Sequence, residues 1–172
     1  MRNSTRLAVV GAALAAVSFG SAANAATTAS ATATAEILST LAIVNNTGLR
    51  FGTIAVNGAG SATVGGDGST SCSASLVCAG TRAPASYTIT GSDTVGVALT
   101  VPTTNATLTY VGWLGGGAAP TMTVSGFNAY FPTGTTLVGG TTTVQVGGVL
   151  AVAAAQAAGT YSGSFDVSVE YQ

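Results

Sequence analysis

The residues of this chain that could carry chemistry are few. The sequence has no His and no Lys; its cations are Arg2, Arg6, Arg50 and Arg82, and its carboxylates are Glu36, Asp67, Asp93, Asp166 and Glu170. Without His the usual general base is missing, and neither a Ser-His-Asp nor a Cys-His set can form. Without Lys there is no Schiff base and no Ser-Lys pair. Neither a G-x-S-x-G elbow nor a phosphate-binding loop is present. Asp166 and Glu170 would share a face of one strand, but a four-residue separation along a strand is roughly 13 Å, wider than the carboxylate pairs of glycosidases. Their bland reading is a solvated face. Gly65-Gly66-Asp67-Gly68 is similar to one fragment of a calcium-binding Gly/Asp repeat, yet a single copy cannot build stacked turns and reads as a flexible loop. The expectation is a protein that is not an enzyme, with no catalytic, metal or cofactor site.

The other reactive groups are Cys72 and Cys78, enclosed in one short segment. In an exported chain such a pair is expected to form a disulfide, contributing on the order of 2 kcal/mol for so short a loop. A zinc site is disfavoured, because no His and no second Cys pair exist to complete it.

The elements that hold these groups are strands. Gly supplies 24 residues and recurs between short runs rich in Thr and Val, a composition that favours pleated surfaces and tight turns. The expected fold is an all-β, immunoglobulin-like or pilin-like antiparallel β-sandwich of about eight to ten short strands. Predicted strands are Thr32–Val44, Leu49–Val56, Ala85–Thr90, Val95–Val101, Ala106–Val111, Thr121–Phe131 and Thr142–Val152, with a short one at Ser61–Val64. Asn45–Gly48 reads as a turn. Gly126 is expected to form a bulge, and Gly147-Gly148 either a hairpin turn or a bulge. The cleanest pattern lies in Gly159–Gln172. Tyr161, Gly163, Phe165, Val167, Val169 and Tyr171 are small or apolar, and every residue between them is polar. That period of two describes a strand with one buried and one wet face.

The start of the chain has a different character. Arg2 and Arg6 precede an apolar run, Leu7–Phe19, and Ala23-Asn24-Ala25 is a small-x-small site. Residues 1–25 therefore read as a signal peptide and residues 26–172 as one β-sandwich domain, within which 26–35 is a candidate N-terminal donor extension. Removing 25 of the 172 residues leaves 147, with two Arg against five carboxylates. So few cations cannot hold a phosphate backbone or an anionic membrane surface, and no later apolar run is long enough for a transmembrane helix, so neither nucleic-acid binding nor membrane insertion is expected. Export through the periplasm to the cell surface is the expected route.

Gly159 stands fourteenth from the end, the apolar residues after it alternate, and Tyr171 is penultimate. This resembles the C-terminal zipper of subunits of chaperone–usher fimbriae. Ala31–Ala35, Leu49–Ile54, Tyr87–Gly91, Val146–Leu150 and Ala158–Phe165 together resemble a bacterial secreted family of unknown function related to those pilins. The resemblance implies an incomplete sandwich whose C-terminal strand borders a groove. The partners it implies are a periplasmic chaperone, an outer-membrane usher, and identical or related subunits that donate a strand. The groove strand would be Gly159, Tyr161, Gly163, Phe165, Val167, Val169 and Tyr171. The candidate donor row is Ala29, Ala31, Ala33 and Ala35, alternating with Ser and Thr. The same residues also read as the ragged start of the first strand of a sandwich complete in one chain, a secreted surface or coat protein that binds another surface component. The close Cys pair departs from the resemblance, since the fimbrial disulfide joins strands distant in sequence. Thiol titration of the unreduced, denatured protein is expected to find no free thiol; two would contradict the Cys72–Cys78 bridge.

Overall fold

A computed structural model describes residues 27–172. The expected signal peptide lies outside the described residues. The chain divides into two compact units after Ala35. In the first, Thr27–Ala35 is exposed and in no strand. The second, Glu36–Gln172, is the sandwich.

Twelve strands build it: β1 (Ala42–Thr47), β2 (Thr53–Val56), β3 (Gly60–Val64), β4 (Thr70–Cys72), β5 (Leu76–Ala79), β6 (Ala85–Thr90), β7 (Val97–Thr100), β8 (Ala106–Tyr110), β9 (Thr121–Tyr130), β10 (Thr141–Val152), β11 (Tyr161–Ser162) and β12 (Ser168–Tyr171). No helix occurs among the described residues, and every strand pairing is antiparallel. The fold is thus an all-β antiparallel sandwich, as the Gly, Thr and Val pattern predicts.

β10 is the spine. One of its edges pairs with β6 through Thr141–Val146 and then with β3 through Gly148–Val152; the other pairs with β9. The large sheet runs β1-β6-β10-β9-β8-β11, with β3 and β4 branching from β10. Two small sheets, β12-β7 and β2-β5, supply the opposite layer. The core between the layers has two clusters. Val97 of β7 packs with Tyr87, Ile89, Val144 and Val146 in one. In the other, Phe51 and Leu76 pack with Val64, Val124, Leu150 and Val152. Leu49, Phe127 and Phe165 touch both clusters.

Local sequence explains the irregular points. Gly126 and Phe127 together face Gly148, so the predicted bulge is present, and Gly126 takes φ +60°. Gly147-Gly148 makes no hairpin; it runs through the middle of β10. Asn45–Thr47 ends β1 with a register shift and is not a turn. The amide of Asn46 donates to Thr88 Oγ1, and that of Asn45 to the Thr47 and Ser86 carbonyls, so these side chains fasten a bulge onto β6. The first strand begins only at Ala42, because nothing pairs with residues 32–41. Three strands beyond the nine placed from the sequence arise where the Cys segment folds into β4 and β5, and where the C-terminal strand divides into β11 and β12.

Gly147 lies directly under the turn that follows β3: a Cβ there would collide with Val64 O and the backbone of Gly65 and Gly66. Since backbone cannot yield as a flexible side chain does, Gly147→Ala is expected to destabilise the fold by about 1–3 kcal/mol. Urea denaturation measures this, and a change smaller than about 0.5 kcal/mol would contradict the close approach.

Candidate functional site

The C-terminal strand is held at two places and left open between them. Tyr161 and Ser162 pair with Tyr110 and Thr109 of β8, and Ser168–Tyr171 pairs with Thr100–Val97 of β7. Gly163–Val167, between these ladders, is in no strand. Facing it is a second open edge. Arg50 exchanges two backbone hydrogen bonds with Ala83, at 2.8 and 3.0 Å, and β2 pairs with β5 in a sheet of two strands. The other edge of β2 is free. Between these edges runs a groove of about 1370 Å³. Its floor is apolar, formed by Leu108, Met122, Val124, Leu150 and Val152, and Ile43 and Tyr87 line it beside Val167.

The alternation of the C-terminal strand is realised in space. Tyr161, Phe165, Val167, Val169 and Tyr171 are half-buried and the residues between them exposed. None of the five is fully buried, although the sequence pattern describes a core-facing row; at Tyr161, Phe165 and Val167 the groove leaves the inner side partly uncovered. The structure brings Gly159, Tyr161, Gly163, Phe165 and Val167 to the groove. It places Val169 and Tyr171 beyond it, in β12 against the second core cluster. Gly159 and Gly163 are exposed and let the segment lie on β8: the Tyr110 ring fills the place of a Cβ on Gly159, and the Thr107 carbonyl that of a Cβ on Gly163. Phe165 stacks at a tilt on Phe127, with ring centroids 4.7 Å apart. Tyr161 is fixed by Gln156, whose Nε2 donates to its hydroxyl at 2.7 Å, and the hydroxyl donates to the Ala157 carbonyl.

The candidate donor residues Ala29, Ala31, Ala33 and Ala35 are all exposed. So is Ile37, at 93 %. The wall that sequence reasoning missed is Leu49–Val56. Its strand pattern is plain, but nothing local says that its outer edge lacks a neighbour.

Cys72 and Cys78 form a disulfide with Cα atoms 6.3 Å apart. The bridge joins β4 to β5, and β5 carries β2, so it braces the groove wall. It also suggests an oxidising, exported environment. No helix among the described residues is long and apolar enough to cross a membrane. Asp67 sits away from the groove in the turn after β3. Hydrogen bonds from the Ser69 hydroxyl and backbone N–H hold its carboxyl below the usual range, so the turn keeps that contribution above the ordinary Asp pKa and loses it as pH falls. In the groove, burial pushes the Tyr87 phenol up. Its stabilising effect is therefore present below the ordinary Tyr pKa and lost as pH rises through the higher folded value.

Phe165 is the side chain through which the open segment reaches both clusters. Phe165→Ala is expected to destabilise the isolated domain by about 1.5–3 kcal/mol in urea denaturation. A loss below about 0.5 kcal/mol would mean that the segment does not pack where the structure places it.

No curated protein and no solved structure matches the chain. A family model does match, over residues 41–171, which takes in every strand of the sandwich and both walls of the groove; the chain belongs to the family described as a domain of unknown function, DUF4402.

Proposed function

We propose that this protein is a structural, pilin-like surface subunit of a fimbrium, assembled by donor-strand complementation through a periplasmic chaperone and an outer-membrane usher. The observation that carries the reading is the groove with an apolar floor and a free strand edge on either side. Main-chain hydrogen bonds along both edges would hold an inserted strand, and alternate side chains on the floor would set its register. The part of the C-terminal wall that borders the groove, Tyr161–Val167, spans seven residues and turns four of them inward. Ala29–Ala35 of another subunit also spans seven and offers four small inward residues. Ala adds little area, at about 25 cal/mol per Å² of apolar surface covered, so backbone pairing supplies most of the affinity. Ile37 keeps the same parity and extends the row with a larger side chain. Until covered, such edges invite non-specific pairing, and a chaperone would prevent it.

A second reading is favoured by the loop between β8 and β9. Leu114 is 99 % exposed, and Trp113 packs edge-on against Tyr110, which packs edge-on against Tyr161. In this reading the sandwich is self-contained and uses the loop to bind another surface component.

Deletion of Ala26–Ala35 separates the two. Donation requires that the deleted subunit stay a monomer in complex with its chaperone and form no fibre, and that Ala31→Asp do the same while Val167→Asp prevents folding or chaperone capture. Normal polymers from the deletion variant, or a stable monomer exported without any chaperone, would contradict strand donation.

A further inference from the structure

The C-terminal strand that borders the groove ends on a second contact, far from it in sequence. The Tyr171 hydroxyl accepts a hydrogen bond from the Ser92 N–H at 2.7 Å and donates one to the Ser39 carbonyl at 2.9 Å. The Ser39 N–H in turn donates to Ser92 Oγ at 2.7 Å. Gly91 makes room for this. A Cβ there would overlap the Tyr171 hydroxyl and would lie 2.9 Å from a Leu41 methyl. The strand that presents the tyrosine is itself anchored, by its ladder to β7 and by the Gln172 N–H on the Gly96 carbonyl at 3.0 Å.

Ser39 marks a boundary. Residues 36–40 are exposed and in no strand, whereas Leu41 is half-buried against the second core cluster and β1 starts at Ala42. A Phe at position 171 could fill the same space, but it could not join Ser39 to Ser92. The hydroxyl, with one donor and one acceptor role filled, is the group that ties the root of the N-terminal segment to the loop after β6.

We infer that Tyr171 is a positioning residue that clamps the root of the N-terminal segment, and that it links this root to the strand bordering the subunit's own groove. The use of the clamp rests on the strand-donation reading; its existence rests on the three hydrogen bonds. Filling the groove would order Gly163–Val167, whose continuation is β12 and Tyr171. The point from which the segment leaves toward a neighbour would then be fixed by the subunit's own occupancy. Coupling of this kind is reciprocal, so holding the root would also favour filling of the groove.

Amide hydrogen exchange on the exported protein tests this, in the wild type, Tyr171→Phe and Ser92→Ala, with and without a synthetic peptide of residues 27–38. Without peptide, Tyr171→Phe is expected to speed exchange at Ser39–Ile43 and Ser92 by about tenfold. Ser92→Ala, which removes only the Ser39 N–H partner, should have a smaller effect confined to Ser39–Leu41. Peptide should still bind Tyr171→Phe, but more weakly than wild type, by about the factor by which it slows Ser39–Leu41 in the wild type. Bound peptide should slow exchange at Ser39–Leu41 in the wild type and not in Tyr171→Phe. Unchanged exchange at these amides in both variants would overturn the clamp. So would a loss spread evenly over β7 and β10 with peptide binding abolished, which would make Tyr171 a packing residue only. Peptide that binds the groove without slowing Ser39–Leu41 would overturn the link. Peptide that binds none of the three proteins would refute strand donation, and the clamp would then be decided by the peptide-free comparison.

Discussion

A strand that leaves water must exchange its backbone N–H and C=O groups with a neighbour, since an unmet polar group in an apolar setting costs more than the contact around it returns. In this sandwich that constraint is met along β10, which is paired on both edges, and it is left open along Gly163–Val167 and the outer edge of β2. The floor between those two edges is apolar and partly wet. The arrangement is stable only because the flanking ladders, β11 on β8 and β12 on β7, pin the C-terminal strand at both ends of the opening. Tyr161, Phe165 and Val167 are half-buried for the same reason: their layer is present on one side and missing on the other.

The rest of the molecule keeps that opening in shape. Gly147 lets the turn after β3 sit directly on β10, the bulge at Gly126 carries β9 past Gly148, and the disulfide braces β5, on which β2 hangs. Phe165 and Leu49, one from each wall, reach both core clusters, so the walls are seated by the same packing that holds the two layers together. No side chain in the groove needs to be reactive. Selectivity of such a site is a matter of edge geometry, length and side-chain size, which fits a chain without His or Lys.

Much of this was legible in the sequence, and the part that was not has a common cause. Ala85–Thr90 and Ala106–Tyr110 follow their local alternation, and the Gly126 bulge follows from a residue that tolerates positive φ. The inward row of Gly159–Gln172 was readable for the same reason. What local pattern cannot state is who pairs with whom. Thr32–Leu41 carries a strand's alternation but is paired with no strand of the sandwich, so β1 starts later than its residues suggest. The C-terminal strand reads as one element and is two, because β8 and β7 each hold only part of it. Leu49–Val56 reads as an ordinary strand, and its role as the second wall exists only because its outer neighbour is missing. Tyr171 patterns as one more core residue; its hydroxyl contact depends on Gly91 and Ser39, 80 and 132 residues away.

The most direct measurement of the account is the exchange rate of the Gly163–Val167 amides as a function of occupancy of the groove. In the isolated subunit these amides should exchange nearly as fast as an unstructured chain, while those of β10 are strongly protected. With a saturating peptide of residues 27–38, the amides on the groove side should slow by at least about a hundredfold, alternating along the segment as strand pairing requires. Amides that are already protected in the isolated subunit, or that stay fast when peptide is bound, would contradict the claim that this groove exists to take a strand.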